Sequence, residues 1–154
     1  MNKIFNTPFE TSLRALLVLG HNKERAMSLD MIVALDFATI YGESTGYASN
    51  DLHGQNPFGF SEYASKRELV SQSLRQLVMR GLVEMIKDEN GISYKISKDG
   101  YYKVVLDLYG ENDFAKEYVE SLNQVAFMTK GKSEQQIIAR ISEKARQNNG
   151  GGHG

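Results

Sequence analysis

Residues 126–133 are the segment that most resembles a catalytic or ligand-binding motif. Gly131, Lys132 and Ser133 follow Ala126 at the spacing of a phosphate-binding loop. In such a loop, backbone N–H groups and a lysine surround the phosphates of a nucleotide. Here Ala126 replaces the first glycine, and residues 113–127 have the periodicity of a helix, whereas a phosphate loop follows a strand. We therefore interpret the segment as a turn between two helices, with Ser133 as the N-cap of the second.

The histidines and cysteines offer little further chemistry. His21, His53 and His153 form no helical pair, and the chain has 0 cysteines, which excludes disulfides and thiolate zinc sites. His53 lies in a loop without a visible nucleophile beside it, so a role as a catalytic base is the less favoured interpretation. We expect a protein that is not an enzyme, with no catalytic residue, no cofactor and no metal.

Asp36 is unusual because it interrupts an apolar helical stretch. It forms no recognisable acid/base pair with Asp30, Glu43 or Asp51. Two interpretations stay open for it: a semi-buried residue with satisfied hydrogen bonds, or part of a docking surface.

The elements around these residues predict a mainly α protein with a small β-hairpin. Thr7-Pro8 and Ser28 are typical helix starts, and Ser65-Lys66-Arg67-Glu68 has the form of a capping box. Asn90-Gly91 between two short apolar segments indicates a hairpin, and Ser97 can cap a further helix. Three helices, a hairpin and a helix are the order of a winged helix-turn-helix, which residues 65–96 indicate most clearly, with additional C-terminal helices.

The domain organisation predicted from these elements has three parts. Residues 1–110 form a winged-helix domain, residues 111–147 a C-terminal helical extension, and residues 148–154 a disordered tail. No apolar run is long enough for a membrane span and no signal peptide is recognisable, so we expect a cytoplasmic protein without membrane contact.

The polar face of the helix before the hairpin is a candidate DNA-contacting surface, to which the hairpin adds a lysine. The candidate residues are Lys66, Arg67, Gln72, Arg75 and Lys95. Residues 65–98 carry a net charge of +3, while the whole chain carries −1, and Asp88 and Glu89 at the hairpin tip would repel phosphates. Direct DNA recognition and protein docking with auxiliary DNA contact both stay open, with docking the favoured interpretation.

Aromatic side chains in weakly structured segments are candidate partner contacts. They are Phe5 and Phe9 near the N-terminus, and Phe58 and Phe60 in the long loop; His53 of the same loop is a further candidate partner contact. The alternative interpretation of the phenylalanines is that they fill the core.

Several short motifs, taken together, resemble a known family. They are Asn2-Lys3-Ile4-Phe5-Asn6-Thr7-Pro8-Phe9-Glu10, Asp36-Phe37, Ile40-Tyr41-Gly42, Leu52-His53-Gly54, Phe60-Ser61-Glu62, Arg67-Glu68-Leu69-Val70 and Gly81-Leu82-Val83. Over roughly residues 1–105 the chain resembles the middle components of ABC-three-component systems, of which the Lamassu-type antiphage and antiplasmid systems are examples.

The resemblance implies a small noncatalytic adaptor. Such a subunit would bridge an ABC ATPase of the SMC/Rad50 type and an effector, often a nuclease, and DNA would be contacted mainly through the complex. The alternative is a dimeric winged-helix transcription regulator of the MarR or PadR type, in which the C-terminal helices supply the dimer interface.

Overall fold

The computed structural model describes residues 7–52, 60–111 and 113–151. These ranges are mainly helical and include a small antiparallel sheet of three strands. The helices are α1 Pro8–His21, α2 Leu29–Ile40, α3 Gly42–Thr45, α4 Phe60–Met79, α5 Leu106–Glu111, α6 Asp113–Met128 and α7 Glu134–Gly151. The strands are β1 Met27–Ser28, β2 Val83–Asp88 and β3 Gly91–Ile96, and a π-helical turn, Gly100–Val105, leads into α5.

Local hydrogen bonds confirm the helix starts predicted at Thr7, Ser28 and Ser133. The Thr7 Oγ1 atom accepts from the Glu10 N–H at 3.2 Å, and Ser28 Oγ accepts from the Met31 N–H at 3.1 Å. At α7 the cap is reciprocal, since Ser133 Oγ accepts from the Gln136 N–H and Gln136 Oε1 accepts from the Ser133 N–H. Gly131, at φ 80°, lies in the turn before this cap. The helix–turn–helix interpretation of this segment is therefore confirmed, and α6 takes the place of the strand that a phosphate loop needs.

The start of α4 differs from the prediction. The helix begins at Phe60, so Ser65 lies inside it and does not cap it. Tertiary packing extends the helix upstream, because Tyr63 packs edge-on against Phe37 with ring centroids 5.0 Å apart. At the other end of the chain, α7 continues through Gly151, into the segment that the sequence assigned to the tail.

The hairpin around Asn90-Gly91 is confirmed. Its register pairs Asp88 with Gly91 at the tip and Val83 with Ile96 at the base, where both side chains are buried. The sequence did not predict β1, which pairs Met27 with Tyr94 and gives the strand order β1-β3-β2. At two residues, β1 is too short for an alternating pattern to show.

The base of the hairpin closes tightly against the following turn. The Ser97 N–H donates to the Leu82 carbonyl at 3.1 Å, and Ser97 Oγ donates to the Gly81 carbonyl at 2.7 Å. A Cβ atom on Gly100 would lie 2.1 Å from that Leu82 oxygen, so the backbones approach too closely for any side chain.

The C-terminal helices share one hydrophobic core with the rest of the chain. Tyr118 and Leu122 of α6 and Ile137 and Ile141 of α7 belong to the same buried cluster as α1, α2 and α4. Residues 31–40 of α2 are all buried, and all of them except Asp36 and Thr39 are apolar, as expected for a helix that is covered on every side.

Candidate interaction surface and buried polar cluster

Lys66 does not lie on the predicted DNA-contacting face. Its exposed fraction is 2%, and it belongs to the buried stripe of α4 together with Tyr63 and Val70. Residues three and four apart share one helix face, so this spacing places Lys66 towards the core. The prediction that Lys66 is an exposed DNA contact is therefore wrong.

Two of the other predicted cations lie next to carboxylates. Arg67 Nε is 2.6 Å from Asp30 Oδ1, and Lys95 Nζ is 3.9 Å from Glu24 Oε1. Gln72 Nε2 donates to Glu68 Oε2 at 3.3 Å.

Arg75 is exposed, and no ion pair involves it among the residues described here. Arg75 therefore keeps its full charge, but because Lys66 is buried and Arg67 and Lys95 lie beside carboxylates, the positive potential of the face is weaker than the count of its basic residues suggested.

A buried polar cluster joins four helices inside the core. Arg14 of α1, with an exposed fraction of 1%, donates through Nε to Asp36 Oδ1 of α2 at 2.9 Å. The Tyr118 hydroxyl of α6 donates to the same oxygen at 2.5 Å, and the Lys66 charge of α4 acts on this carboxylate. Asp36 Oδ2 is buried and accepts no hydrogen bond within the described part of the chain. Asp36 thus lies inside the protein and not on a docking surface, but it is more deeply buried than the semi-buried interpretation held, and its hydrogen bonds are only partly satisfied.

Burial and charge oppose each other in this cluster. Burial alone would raise the pKa of Asp36, but Arg14, Lys66 and the Tyr118 hydrogen bond outweigh it and hold that pKa below the ordinary value. Burial lowers the pKa of Lys66, and the neighbouring Arg14 adds to the effect against the attraction of Asp36. Burial also raises the pKa of Glu10, against the attraction of Arg14. The cluster links α1, α2, α4 and α6 through the Asp36 carboxylate, and none of its side chains is open to solvent.

Among the candidate partner contacts, Phe9 is the one whose side chain lies within the described residues. The side chain of Phe9 has an exposed fraction of 70%, which is unusual for a phenylalanine. Phe60 begins α4, but its side chain lies outside the described part of the chain, as do Phe5, His53 and Phe58 altogether.

Further exposed apolar side chains were not predicted as contacts. On the hairpin, Met85 and Ile92 are 52% and 45% exposed, and at the end of α6 Phe127 and Met128 are 74% and 48% exposed. A sequence signal exists for Phe127, because it departs from the inward spacing of Tyr118, Leu122 and Val125 on the same helix.

Three adjacent cavities that share lining residues, here called the α6–α7 groove, follow the segment 45–52. The first, of about 810 Å³, lies against α7, and shares Gly46, Tyr47 and Met128 with a second cavity of about 500 Å³. The second shares Ala48, Ser49 and Gln124 with a third, of about 340 Å³, which lies along the middle of α6. Ser49 is fixed in place because its N–H and hydroxyl both donate to Gln124 Oε1, at 2.7 and 2.8 Å.

The α6–α7 groove changes in character along its length. The cavity against α7 is lined by Lys132, Arg140, Lys144 and Arg146, of which Arg146 pairs with Glu143. The central cavity contains Tyr47, Phe127 and Met128, and the third is lined by Asp51, Glu117 and Glu120. The groove is therefore basic at one end, apolar in the centre and acidic at the other end.

Two other kinds of site are absent from the described ranges. No group of three or more His, Cys, Asp or Glu side chains there is arranged to hold a metal ion. None of the helices in those ranges combines the length and the apolar character that crossing a bilayer requires.

The fold and surface define a mainly helical protein with a small antiparallel sheet, a charged cluster in its core and open, partly apolar hollows on its outside. The family model described as "ABC-three component (ABC-3C) system Middle Component 2" matches residues 4–150. The chain belongs to this family, and the resemblance drawn from its N-terminal motifs is confirmed. Comparison with curated proteins gave no match, and comparison with solved structures gave none either.

Proposed function

We propose that this protein is a noncatalytic adaptor subunit of a Lamassu-type antiphage or antiplasmid defence complex, and that it bridges an SMC/Rad50-like ABC ATPase and an effector nuclease. The observation that carries the proposal is membership of the Middle Component 2 family over residues 4–150. A component of a multi-subunit system needs surfaces for protein partners. The exposed Phe9, Met85 and Ile92 are suitable anchors for them.

We interpret the fold as a winged helix with additional C-terminal helices. The support is the sequence of elements: α1, β1, α2, the short α3 and α4 precede the hairpin of β2 and β3, and β1 pairs with β3. In this interpretation α4 is the helix that would face DNA. We infer that DNA contact is auxiliary, because Lys66 is buried while Arg67 and Lys95 lie beside carboxylates. The hairpin of β2 and β3, which is the wing in this interpretation, and the start of α1 would then serve mainly as protein-docking surfaces.

Copurification tests the adaptor role directly. The chain, with an affinity tag, is expressed from its own operon together with the proteins encoded beside it, and the expected result is recovery of an ATPase and an effector. Recovery of neither would overturn the proposal.

Surface variants then locate the contacts. Phe9→Asp adds a charge to an exposed aromatic position, and we expect it to reduce the yield of one partner at least tenfold if that aromatic is an anchor of the interface. Lys116→Asp on the exposed side of α6 is a control that should leave both yields unchanged. Equal yields from both variants would remove Phe9 from the interface.

Gel shifts on the protein's own promoter separate this role from that of a transcription regulator. An adaptor should bind DNA weakly and without sequence preference when isolated. A tight complex on a palindromic site, lost on Arg75→Ala, would support the dimeric regulator and contradict the adaptor role.

A further inference from the structure

We propose that two copies of this chain associate through the α6–α7 groove, in a twofold-symmetric dimer. This inference goes beyond the adaptor role and does not depend on it. It rests on the order of chemical character along the groove, which is basic, apolar and acidic.

The charge pattern of the groove is complementary to itself. A twofold axis through the apolar centre places the basic end of one copy against the acidic end of the other, and it does so twice. Arg140 and Lys144 would then face Glu117 and Glu120 of the second copy. No separate partner has to be assumed, because the chain itself carries both complementary ends.

The apolar centre supplies the contact that charges alone cannot. Exposed ion pairs contribute little net stability, so association needs apolar surface removed from water. Phe127 projects from the end of α6 with an exposed fraction of 74%, next to the hollow that Tyr47 and Met128 line. Around the axis, Phe127 of each copy enters the hollow of the other, and the flanking charges fix the orientation.

Sedimentation velocity on the full chain tests the association, from about 1 to about 200 μM protein, a range that brackets micromolar dissociation constants. We expect a concentration-dependent monomer–dimer equilibrium. Phe127→Asp should raise the dissociation constant at least tenfold, because it places a charge in the apolar centre. Phe9→Asp is the matched control, since Phe9 has a similar exposed fraction but lies at the start of α1, and it should leave the dissociation constant unchanged.

Two charge-reversal variants give a sharper test. The variant Glu117→Lys with Glu120→Lys makes both ends of the groove basic, and the variant Arg140→Glu with Lys144→Glu makes both ends acidic. Each should be monomeric alone. An equimolar mixture of the two should recover the dimer, because a basic end then meets an acidic end at both contacts.

The outcomes separate the second copy from other occupants of the groove. A wild-type chain that stays monomeric over the whole range overturns the proposal, and so does a dimer that survives Phe127→Asp. A mixture of the two reversed variants that fails to dimerise also overturns it. Circular dichroism spectra that match the wild type ensure that every variant is folded before it is scored.

Discussion

The substitution Asp36→Asn tests the energetic role of the buried polar cluster. It keeps the shape of the side chain but removes the negative charge that faces Arg14, whose Nε lies 2.9 Å from Asp36 Oδ1. Arg14 and Asp36 are 1% and 2% exposed, so water cannot replace the lost carboxylate. Arg14 and Lys66 would then stay in the core without the carboxylate whose charge acts on both.

The expected cost follows from that burial. Removing one partner of a buried ion pair destabilises a protein by about 3–5 kcal/mol. The free energy of unfolding of a natural domain is about 5–15 kcal/mol, so the loss is a large part of the whole. For a chain of this length it corresponds to a fall in Tm of about 6–20 °C.

Urea unfolding measures the difference in unfolding free energy between the wild type and Asp36→Asn. Far-ultraviolet circular dichroism is a suitable probe, because the chain has no tryptophan for fluorescence. Asp30→Asn is the matched control, because Asp30 also pairs with an arginine, at 2.6 Å, but with side chains 51% and 54% exposed. We expect that control to cost about 0–1 kcal/mol. Equal costs for the two variants would refute the argument, since burial would then have no part in the effect.

The stability difference between the wild type and Asp36→Asn should also depend on pH. The folded-state pKa of Asp36 lies below the ordinary value of 3.8, so its contribution is fully present above 3.8 and is lost as pH falls through the folded-state pKa. The difference in unfolding free energy between wild type and Asp36→Asn should therefore narrow below pH 3.8. A difference that stays constant down to about pH 2 would contradict the assigned ion pair.

Three further substitutions check other parts of the structure by the same unfolding measurement. Lys66→Met should leave the free energy of unfolding unchanged or raise it at pH 7, because Met fills a similar volume without a buried charge and Asp36 keeps Arg14; a loss above about 2 kcal/mol would contradict this. Gly100→Ala should lower the free energy of unfolding by about 1–3 kcal/mol or more, because the new Cβ would lie 2.1 Å from the Leu82 oxygen. An unchanged free energy of unfolding would show that the turn moves freely. Ser133→Ala should cost about 1 kcal/mol by removing the cap of α7, and equal stability would mean that the Gln136 half of the box suffices.

The sequence predicted those parts of the fold that depend on neighbouring residues. Thr7, Ser28 and Ser133 cap helices by hydrogen bonds to groups three residues away, and Asn90-Gly91 forms a turn by its own backbone preference. These choices need no knowledge of the rest of the chain, which is why they could be predicted.

Other features depend on parts of the chain that are far apart in sequence. Asp36 meets Arg14 across 22 positions and Tyr118 across 82, so helical periodicity alone could not tell its two interpretations apart. Lys66 was placed on the exposed face because long charged side chains are seldom buried, although its spacing from Tyr63 and Val70 puts it on the stripe of α4 that packs against α1 and α2. The α6–α7 groove is formed by side chains from three separate segments, so no local motif indicates it.

The hydrogen bond from Tyr118 to Asp36 also has a consequence for synthesis of the chain on the ribosome. The two residues are 82 positions apart, and at about 5–20 residues per second the second follows the first by about 4–16 s. During that interval α2 exists without α6 and α7, so apolar side chains that they later cover remain open to water. We expect the nascent chain to be sensitive to proteases and to be held by chaperones until α6 emerges.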